Sequence, residues 1–173
     1  GDVSAMTQVQ NIHPGLGIYF TACSGGDFAP NYADILSWNT ENLLVGATRN
    51  WSKTILFWNL ALDENDGPKN GGCDNCRGVV TINSATKTIT KNEEYVLLGH
   101  MAKFVKPNAK RIRTPDTRGQ DISQVAFKNI DGTIVIVAFN HKSESQNIQF
   151  EYKENTFDYE IEGGMLVSFL IED

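Results

Sequence analysis

The sequence predicts a protein in two parts, an α/β part followed by an all-β part. A short strand at 18–21, a helical pattern over 31–48 and an apolar strand at 54–59 follow one another. Strand, helix and strand in this order form a βαβ unit, so the two strands should be parallel neighbours. From residue 109 onward the apolar residues adopt the period of two that is typical of half-buried strands. The 173 residues suffice for one or two compact units but not for a complete (β/α)8 barrel.

The elements of the first part are predicted from apolar spacing and from turn residues. Residues 1–12 have the pattern of the end of a helix, which His13-Pro14-Gly15 stops. The strand at 18–21 is expected to enter a loop at Cys23–Gly26. The helical pattern over 31–48 predicts one buried face. Its members are Tyr32, Ile35, Leu36, Leu43 and Ala47.

The carboxyl end of the strand predicted at 54–59 is a candidate binding site. Its β-branched and aromatic run is typical of a strand buried on both faces, and it opens into a Gly- and Asn-rich loop from Asp63 to Gly78. Binding sites in parallel α/β sheets lie at the carboxyl ends of strands. Trp58 and Asn59 stand at this end, and an indole face beside an amide suits a sugar ring. Both are also ordinary core and turn residues.

The remainder of the first part is predicted as an extended piece and a helix. Residues 79–82 are β-branched, and Thr90-x-x-Glu93 resembles a capping box that opens a helix over about 91–104. The helical spacing predicts a buried face comprising Tyr95, Leu98, Ala102 and Val105. Lys106-Pro107-Asn108 ends the helix and marks the boundary between the two parts.

The second part is predicted to be an antiparallel sheet, as part of a sandwich. Residues 133–139 form a continuous β-branched run, as in a central strand, while residues 147–152 alternate strictly. Turns are expected at 129–132, which carries an Asp-Gly signal, and at Gly163-Gly164, before a last strand over 165–171. The alternating face carries Ile148, Phe150 and Tyr152.

Composition excludes two classes of function. The net charge is −6, and no basic cluster exists beyond Lys110-Arg111 and Arg113, which argues against a nucleic-acid partner. The longest apolar run, 134–139, is far too short for a transmembrane segment. The start, Gly1–Ser4, lacks the basic and apolar regions of a signal peptide, so we expect a mature, cytosolic or truncated chain.

Four segments carry a family resemblance. The residues Phe57–Asp63, Gly67-Pro68 and Gly99–Pro107 closely resemble the C-terminal part of glycoside hydrolase family 30, the glucosylceramidase-like clan of retaining β-glycosidases. Tyr19–Thr21, followed by Cys23–Gly26, is similar to the family's segment at the end of barrel strand seven. The resemblance runs in the right order over nearly the whole chain.

The resemblance implies an architecture and a missing partner. Residues 1–108 would be the C-terminal part of a (β/α)8 TIM barrel, namely its last two β/α units, and residues 109–173 an appended antiparallel β-sandwich domain. The N-terminal barrel segment would be the partner of this half-barrel. Such enzymes hydrolyse β-glycosidic bonds in glycans or glycolipids, and no cofactor is implied, because carboxyl groups suffice for the reaction.

Two departures from the family pattern predict that this chain alone is inactive. The position of the nucleophilic Glu, between the Thr and the Cys of the strand-seven segment, is occupied by Ala22. The family's acid/base Glu lies upstream of this sequence, and Asn92-Glu93 at a helix start cannot replace it. A retaining mechanism needs two carboxyl groups about 5–5.5 Å apart. Without the resemblance, Ala22 would pass as an ordinary small residue at a strand end.

The candidate site residues and the alternatives to catalysis follow from the same resemblance. The candidate substrate-binding residues are Trp58, Asn59, Tyr19 and Asp63, with a β-linked carbohydrate or glycolipid as the partner. A non-catalytic carbohydrate-binding relative and a structural half-barrel fragment are the alternatives. The former predicts sugar affinity without turnover, and the latter predicts exposed apolar sheet edges.

The spacing of the cysteines indicates the cellular compartment of the protein. Cys73-x-x-Cys76 has the spacing of half a zinc site, a redox pair or a local disulfide. No second such pair is available to complete a zinc site, and a redox pair should open a helix rather than lie in a Gly-rich loop. We therefore expect a disulfide in a secreted, periplasmic or lumenal protein. Cys23 is expected to be a buried thiol.

Overall fold

The structure is a computed structural model that describes residues 2–29, 31–117 and 119–172. It divides into two units, Gly1–Ala102 and Lys103–Asp173. Each has its own buried apolar side chains, with Leu44 in the first and Val137 in the second. No helix in the described ranges is long and apolar enough to cross a membrane.

The first unit begins with the βαβ order that the sequence predicts. Its elements are α1 (Ser4–Ile12), β1 (Ile18–Gly26), α2 (Tyr32–Asn39), a π-helix (Thr40–Ala47) and β2 (Ser52–Trp58). The strands β1 and β2 are parallel, and their register pairs Ile18 with Ser52 and Ser24 with Trp58. The prediction of parallel neighbours is confirmed.

The helical region after β1 differs from the predicted single pattern. It passes from α2 into the π-helix, whose hydrogen bonds run from residue i to i+5. Tyr32 is 49% exposed, so its assignment to the buried face is wrong, because it is the first residue of α2. The other four predicted positions are buried, and these are Ile35, Leu36, Leu43 and Ala47.

Two predictions about the strands are also wrong. β1 does not end at a loop before Cys23 but continues to Gly26, because β4 (Cys76–Arg77) pairs antiparallel with its last two residues. β2 is not buried on both faces, since Leu56 is 51% and Trp58 66% exposed. Among the described residues β2 is an edge strand with β1 as its neighbour on one side.

A small sheet and a helix complete the first unit. The sheet has the order β3 (Ala61–Asp63), β5 (Val80–Ile82), β6 (Ile89–Lys91), and the helix α3 spans Glu93–Ala102. The predicted capping box is wrong, because Thr90 lies in β6 and pairs with Thr81. Asn92 instead ties the helix start to the sheet, donating from Nδ2 to the Gly78 carbonyl (2.8 Å) and to Thr81 Oγ1 (3.0 Å).

The buried face of α3 is not the predicted one. Tyr95 is 42% exposed and Ala102 is exposed, whereas Glu94 and Leu97 have 0% and 1% exposure. Apolar spacing predicted the other face because Glu94 counts as a surface residue in any hydropathy pattern. The burial of Glu94 depends on its ion pair with Arg77 of β4.

The second unit consists of antiparallel strands, as predicted. One sheet has the order β12 (Leu166–Ile171), β9 (Ile134–Asn140), β8 (Ile122–Lys128), β7 (Lys110–Ile112). The hairpin of β10 (Gln146–Tyr152) and β11 (Asn155–Ile161) forms another. β9 is buried along its whole length, which confirms it as a central strand.

The two sheets of the second unit share one apolar core. Phe150 of β10 packs with Ala126, Ile134 and Ile136 of the other sheet. Ile148 and Tyr152 pack against the same cluster, so the predicted shared face of β10 is confirmed. Additional members of the cluster are Ile112, Phe157, Phe169 and Ile171.

Both predicted turns of the second unit are confirmed, and each has a glycine with positive φ. At the first, Asn129–Gly132 joins β8 to β9, and Gly132 has φ 95°. At the second, Gly164 has φ 69° and precedes β12. An L side chain rarely adopts this conformation, whereas glycine adopts it without steric cost.

Candidate functional site

The carboxyl ends of the parallel strands β1 and β2 lie side by side. The register pairs Cys23 with Phe57 and Ser24 with Trp58. Ala22 belongs to β1 directly before these pairs, and the direction of its side chain lies outside the described part of the structure. The indole of Trp58, at the end of β2, is 66% exposed and therefore presents a face to solvent.

Asn59 follows Trp58 through a cis peptide bond and carries a buried side-chain acceptor without a partner in the described part of the chain. Its main-chain carbonyl accepts from the Val79 N–H (2.9 Å), which links the end of β2 to the segment before β5. Its side-chain Oδ1 is buried and has no hydrogen-bond partner among the described residues. A buried acceptor without a partner carries a desolvation cost.

The structure does not bring Tyr19 to this end of the strands. Tyr19 follows Ile18, which pairs with Ser52 at the start of β2. Ser24 lies five positions further along β1, and at about 3.3 Å per residue this is roughly 16 Å along the strand. The phenol ring is 59% exposed, but it lies towards the amino end of β1.

The carboxylate of Asp63 holds the turn that follows β3. Its Oδ1 accepts from the main-chain N–H groups of Asn65 (2.9 Å) and Gly67 (2.7 Å). The Asp63 N–H in turn donates to the Gly67 carbonyl (2.9 Å). The local structure thus accounts for this carboxylate without a ligand.

The loop that contains Cys73 and Cys76 is attached to the end of β1. The structure has a disulfide between these two cysteines. β4 begins at Cys76 and pairs with Gly26, and the Asn75 carbonyl accepts from the Asp27 N–H (3.2 Å). In the described part of the chain, no group of three or more His, Cys, Asp or Glu side chains could hold a metal ion.

A buried charged cluster next to this strand end was not found from the sequence. Arg77 of β4 binds Glu93 and also Glu94, whose Oε1 lies 3.3 Å from Nη2. The Glu94 side chain is fully buried, and its Oε1 also accepts from Asn39 Nδ2 (3.4 Å). Charged side chains are almost never fully buried unless paired. The available signal was two adjacent glutamates at a helix start and an arginine directly after Cys76.

Glu94 influences two titratable groups on neighbouring elements. Burial, followed by the negative charge of Glu94, raises the pKa of the half-buried Cys23 thiol. Burial, followed by the charges of Glu93 and Glu94, raises the pKa of Tyr32, and Arg77 opposes this effect. Cys23 is therefore held as the neutral thiol, which is a weak nucleophile.

Comparison with known proteins gives the family. Residues 108–169 match the model of the glycosyl hydrolase family 30 beta sandwich domain. Endo-1,6-beta-D-glucanase of Neurospora crassa is 31% identical over 148 residues, which are 80% of this chain and 30% of that protein. Lysosomal acid glucosylceramidase of Mus musculus is 27% identical over 132 residues, or 71% of this chain and 24% of that protein. A solved endo-beta1,6-glucanase superposes with a TM-score of 0.89 at 32% identity, covering 98% of this chain and 38% of that one.

The chain belongs to glycoside hydrolase family 30, and its relatives include glucanases and glucosylceramidases. Its second unit carries the family's beta sandwich domain. The chain spans between 28% and 30% of the length of the three endo-1,6-beta-D-glucanases that it matches.

Proposed function

We propose that the chain is part of a retaining β-glycosidase that acts on β-1,6-linked glucan, with Ala22 at the position of the nucleophile. The observation that carries this proposal is the parallel register of β1 and β2, in which Ser24, two residues after Ala22, pairs with Trp58 at the end of β2. The proposed substrate rests on the names of the relatives, which include endo-1,6-beta-glucanases.

In the proposed architecture, β1 and β2 are the last two strands of a (β/α)8 barrel, whose remaining strands belong to a longer protein. Residues 1–108 would form the barrel part and residues 109–173 the sandwich domain. β2 is an edge strand with an exposed Leu56. This fits the proposal, because an adjacent barrel strand would pair with the free edge of β2. The Cys73–Cys76 disulfide supports a secreted, periplasmic or lumenal protein.

The proposed chemistry assigns a role to each group of the site. In a retaining enzyme, one carboxylate attacks the anomeric carbon as a carboxylic acid protonates the departing glycosidic oxygen, and water then cleaves the glycosyl-enzyme. The methyl group of Ala22 cannot attack, so the present chain performs no such step. Trp58 would stack on the apolar face of the sugar, and the side-chain amide of Asn59 would hydrogen-bond a hydroxyl group at its rim.

The decisive experiment introduces Ala22→Glu into the longer protein that contains this chain. Turnover of a β-1,6-gluco-oligosaccharide should rise by about 10⁴-fold or more, since removal of a catalytic nucleophile costs losses of this order. Azide or formate should partly rescue the unsubstituted protein with an activated aryl β-glucoside, because the space left by the missing carboxyl group admits a small anion. Ala22→Glu in the 173-residue chain alone is the control and should remain inactive.

A carbohydrate-binding relative without catalysis is the second candidate, and Ala22 itself favours it. It predicts that the oligosaccharide binds, that Trp58→Ala weakens binding at least tenfold, and that Ala22→Glu produces no turnover. Trp51→Ala provides a matched control, because Trp51 is also exposed (48%) but precedes β2. Binding without turnover in the Ala22→Glu protein would refute the enzyme and leave the binding protein.

A further inference from the structure

We propose that Glu94 is a positioning residue for the carboxyl end of β1, the segment that carries position 22. Its fully buried carboxylate lies against the main chain at Gly25 and is fixed from the other side by Arg77 and Asn39. The catalytic part of this inference rests on the proposed function, whereas the positioning of the strand end does not.

Glu94 lies so close to the main chain at Gly25 that a side chain at position 25 would collide with it. A Cβ atom added at Gly25 would lie 2.5 Å from Glu94 Cδ and 2.7 and 2.8 Å from its two oxygens. Gly25 does not have a positive φ, and the three atoms nearest to an added Cβ all belong to Glu94. The absence of a side chain at position 25 therefore creates the space in which this carboxylate lies.

The other side of Glu94 is held by donors from two elements. Arg77 donates to it from Nε (3.4 Å) and from Nη2 (3.3 and 3.4 Å), and Asn39 Nδ2 donates to Oε1 (3.4 Å). Breaking a buried ion pair by removing one partner is strongly destabilising, because the remaining charge is left unpaired. The carboxylate is thus confined on both sides.

Arg77 extends this restraint to the backbone of β1. Arg77 pairs with Gly25 in the antiparallel ladder of β4, and its guanidinium binds the carboxylate that lies under the same glycine. The side chain and the main chain of one residue therefore restrain one point of β1. Gly25 is three residues beyond Ala22, so a displacement there is transmitted along the strand towards position 22.

The first experiment measures amide hydrogen exchange of the 173-residue chain carrying Gly25→Ala. We expect exchange of the main-chain amides at 23–27 to accelerate at least tenfold, while the amides of β9 in the second unit stay within twofold. Gly99→Ala is the matched control, because nothing lies within 4 Å of a Cβ at Gly99, on the same helix as Glu94. Equal exchange in the two variants would refute the positioning role.

The second experiment uses Glu94→Asp to relieve the clash. Aspartate is shorter by one methylene, about 1.5 Å, which restores an ordinary contact with an alanine at position 25. Exchange in the Gly25→Ala/Glu94→Asp chain should be slower than in the Gly25→Ala chain and no faster than in the Glu94→Asp chain, because the clash is removed while the weakened bonds to Arg77 remain. Effects that simply multiply in the double variant would refute a direct coupling.

An isosteric variant serves if Gly25→Ala does not fold. Glu94→Gln retains the size and removes the charge, and it should accelerate exchange at 23–27 at least fivefold with β9 unchanged. Uniform acceleration in all elements of the first unit, with no excess at 23–27, would show that Glu94 is merely a stability residue and would overturn the proposal.

A kinetic experiment tests the catalytic part of the inference in the longer protein that carries Ala22→Glu. There, an added Glu94→Asp should lower kcat at least tenfold and change KM less than twofold, because a displaced strand end misaligns the nucleophile after the sugar has bound. An unchanged kcat would overturn the catalytic part. If Ala22→Glu is itself inactive, the proposed function fails, and the exchange measurements still decide whether Glu94 positions β1.

Discussion

Phe150→Ala should destabilise the second unit by about 3–5 kcal/mol. Phe150 is 7% exposed, and its ring centroid lies 4.8 Å from that of Phe157 and 4.8 Å from that of Phe169. A buried aromatic ring removes about 150–250 Å² from water, which at about 25 cal/mol per Å² gives roughly 4–6 kcal/mol. The two approaches agree on a large loss, because Phe150 joins the β10–β11 hairpin to the other sheet.

The assay must report on the second unit alone. All three tryptophans, at 38, 51 and 58, lie in the first unit, so tryptophan fluorescence serves as an internal control that should not change. Unfolding of the second unit is followed by hydrogen exchange of peptides from β9 in increasing urea. Glu151→Ala, at the exposed position next to Phe150, should change stability by less than about 0.5 kcal/mol. A loss below about 1 kcal/mol for Phe150→Ala would refute the shared core.

Three further outcomes are expected. Asn140→Ala should destabilise the second unit by about 2–4 kcal/mol in urea, since its buried Nδ2 donates to the main-chain carbonyls of Glu144, Ile161 and Glu162, which would lose this partner. The pKa of Asp131 should be about 2 by NMR, chiefly because Lys106 donates a hydrogen bond to its carboxylate, and Lys106→Met should raise this pKa. The contribution of Asp131 to stability is present above the usual pKa of an aspartate and is lost as the pH falls towards 2. Alkylation without reduction should leave Cys73 and Cys76 unmodified, and labelling of both would contradict the disulfide.

The second unit was the more predictable from sequence because its signals are local. The β-branched run of β9 and the strict alternation of β10 each fix a strand within seven residues. The Asp-Gly turn then joins two strands that are adjacent in the sequence. In such a meander, strand pairing requires no information from distant residues, so period and turn chemistry suffice.

The first unit was less predictable because its decisive contacts are distant in sequence. The end of β1 is extended only because residues 76–77 pair with residues 25–26, about fifty positions earlier. Glu94 is buried because Arg77 and Asn39 meet it, and neither lies on its own helix. Hydropathy patterns assign a glutamate to the surface, so the predicted face of α3 was wrong for the same reason that the charged cluster was missed.

If Ala22 stands at the nucleophile position, as proposed, the same cluster decides whether a neighbour can replace the carboxylate there. Cys23, the adjacent nucleophilic side chain in β1, is half-buried, and its pKa is raised by burial and by the charge of Glu94. Since the thiolate is the reactive form, Cys23 should react with iodoacetamide more slowly at pH 7 than a free cysteine, and the rate should still be rising at pH 9. Unfolding in urea should abolish the difference, because it removes both causes. A rate at pH 7 equal to that of free cysteine would refute this and make Cys23 a candidate substitute nucleophile. With a slow thiol, Cys23 provides no replacement, and restoring the carboxylate remains the test of the proposed reaction.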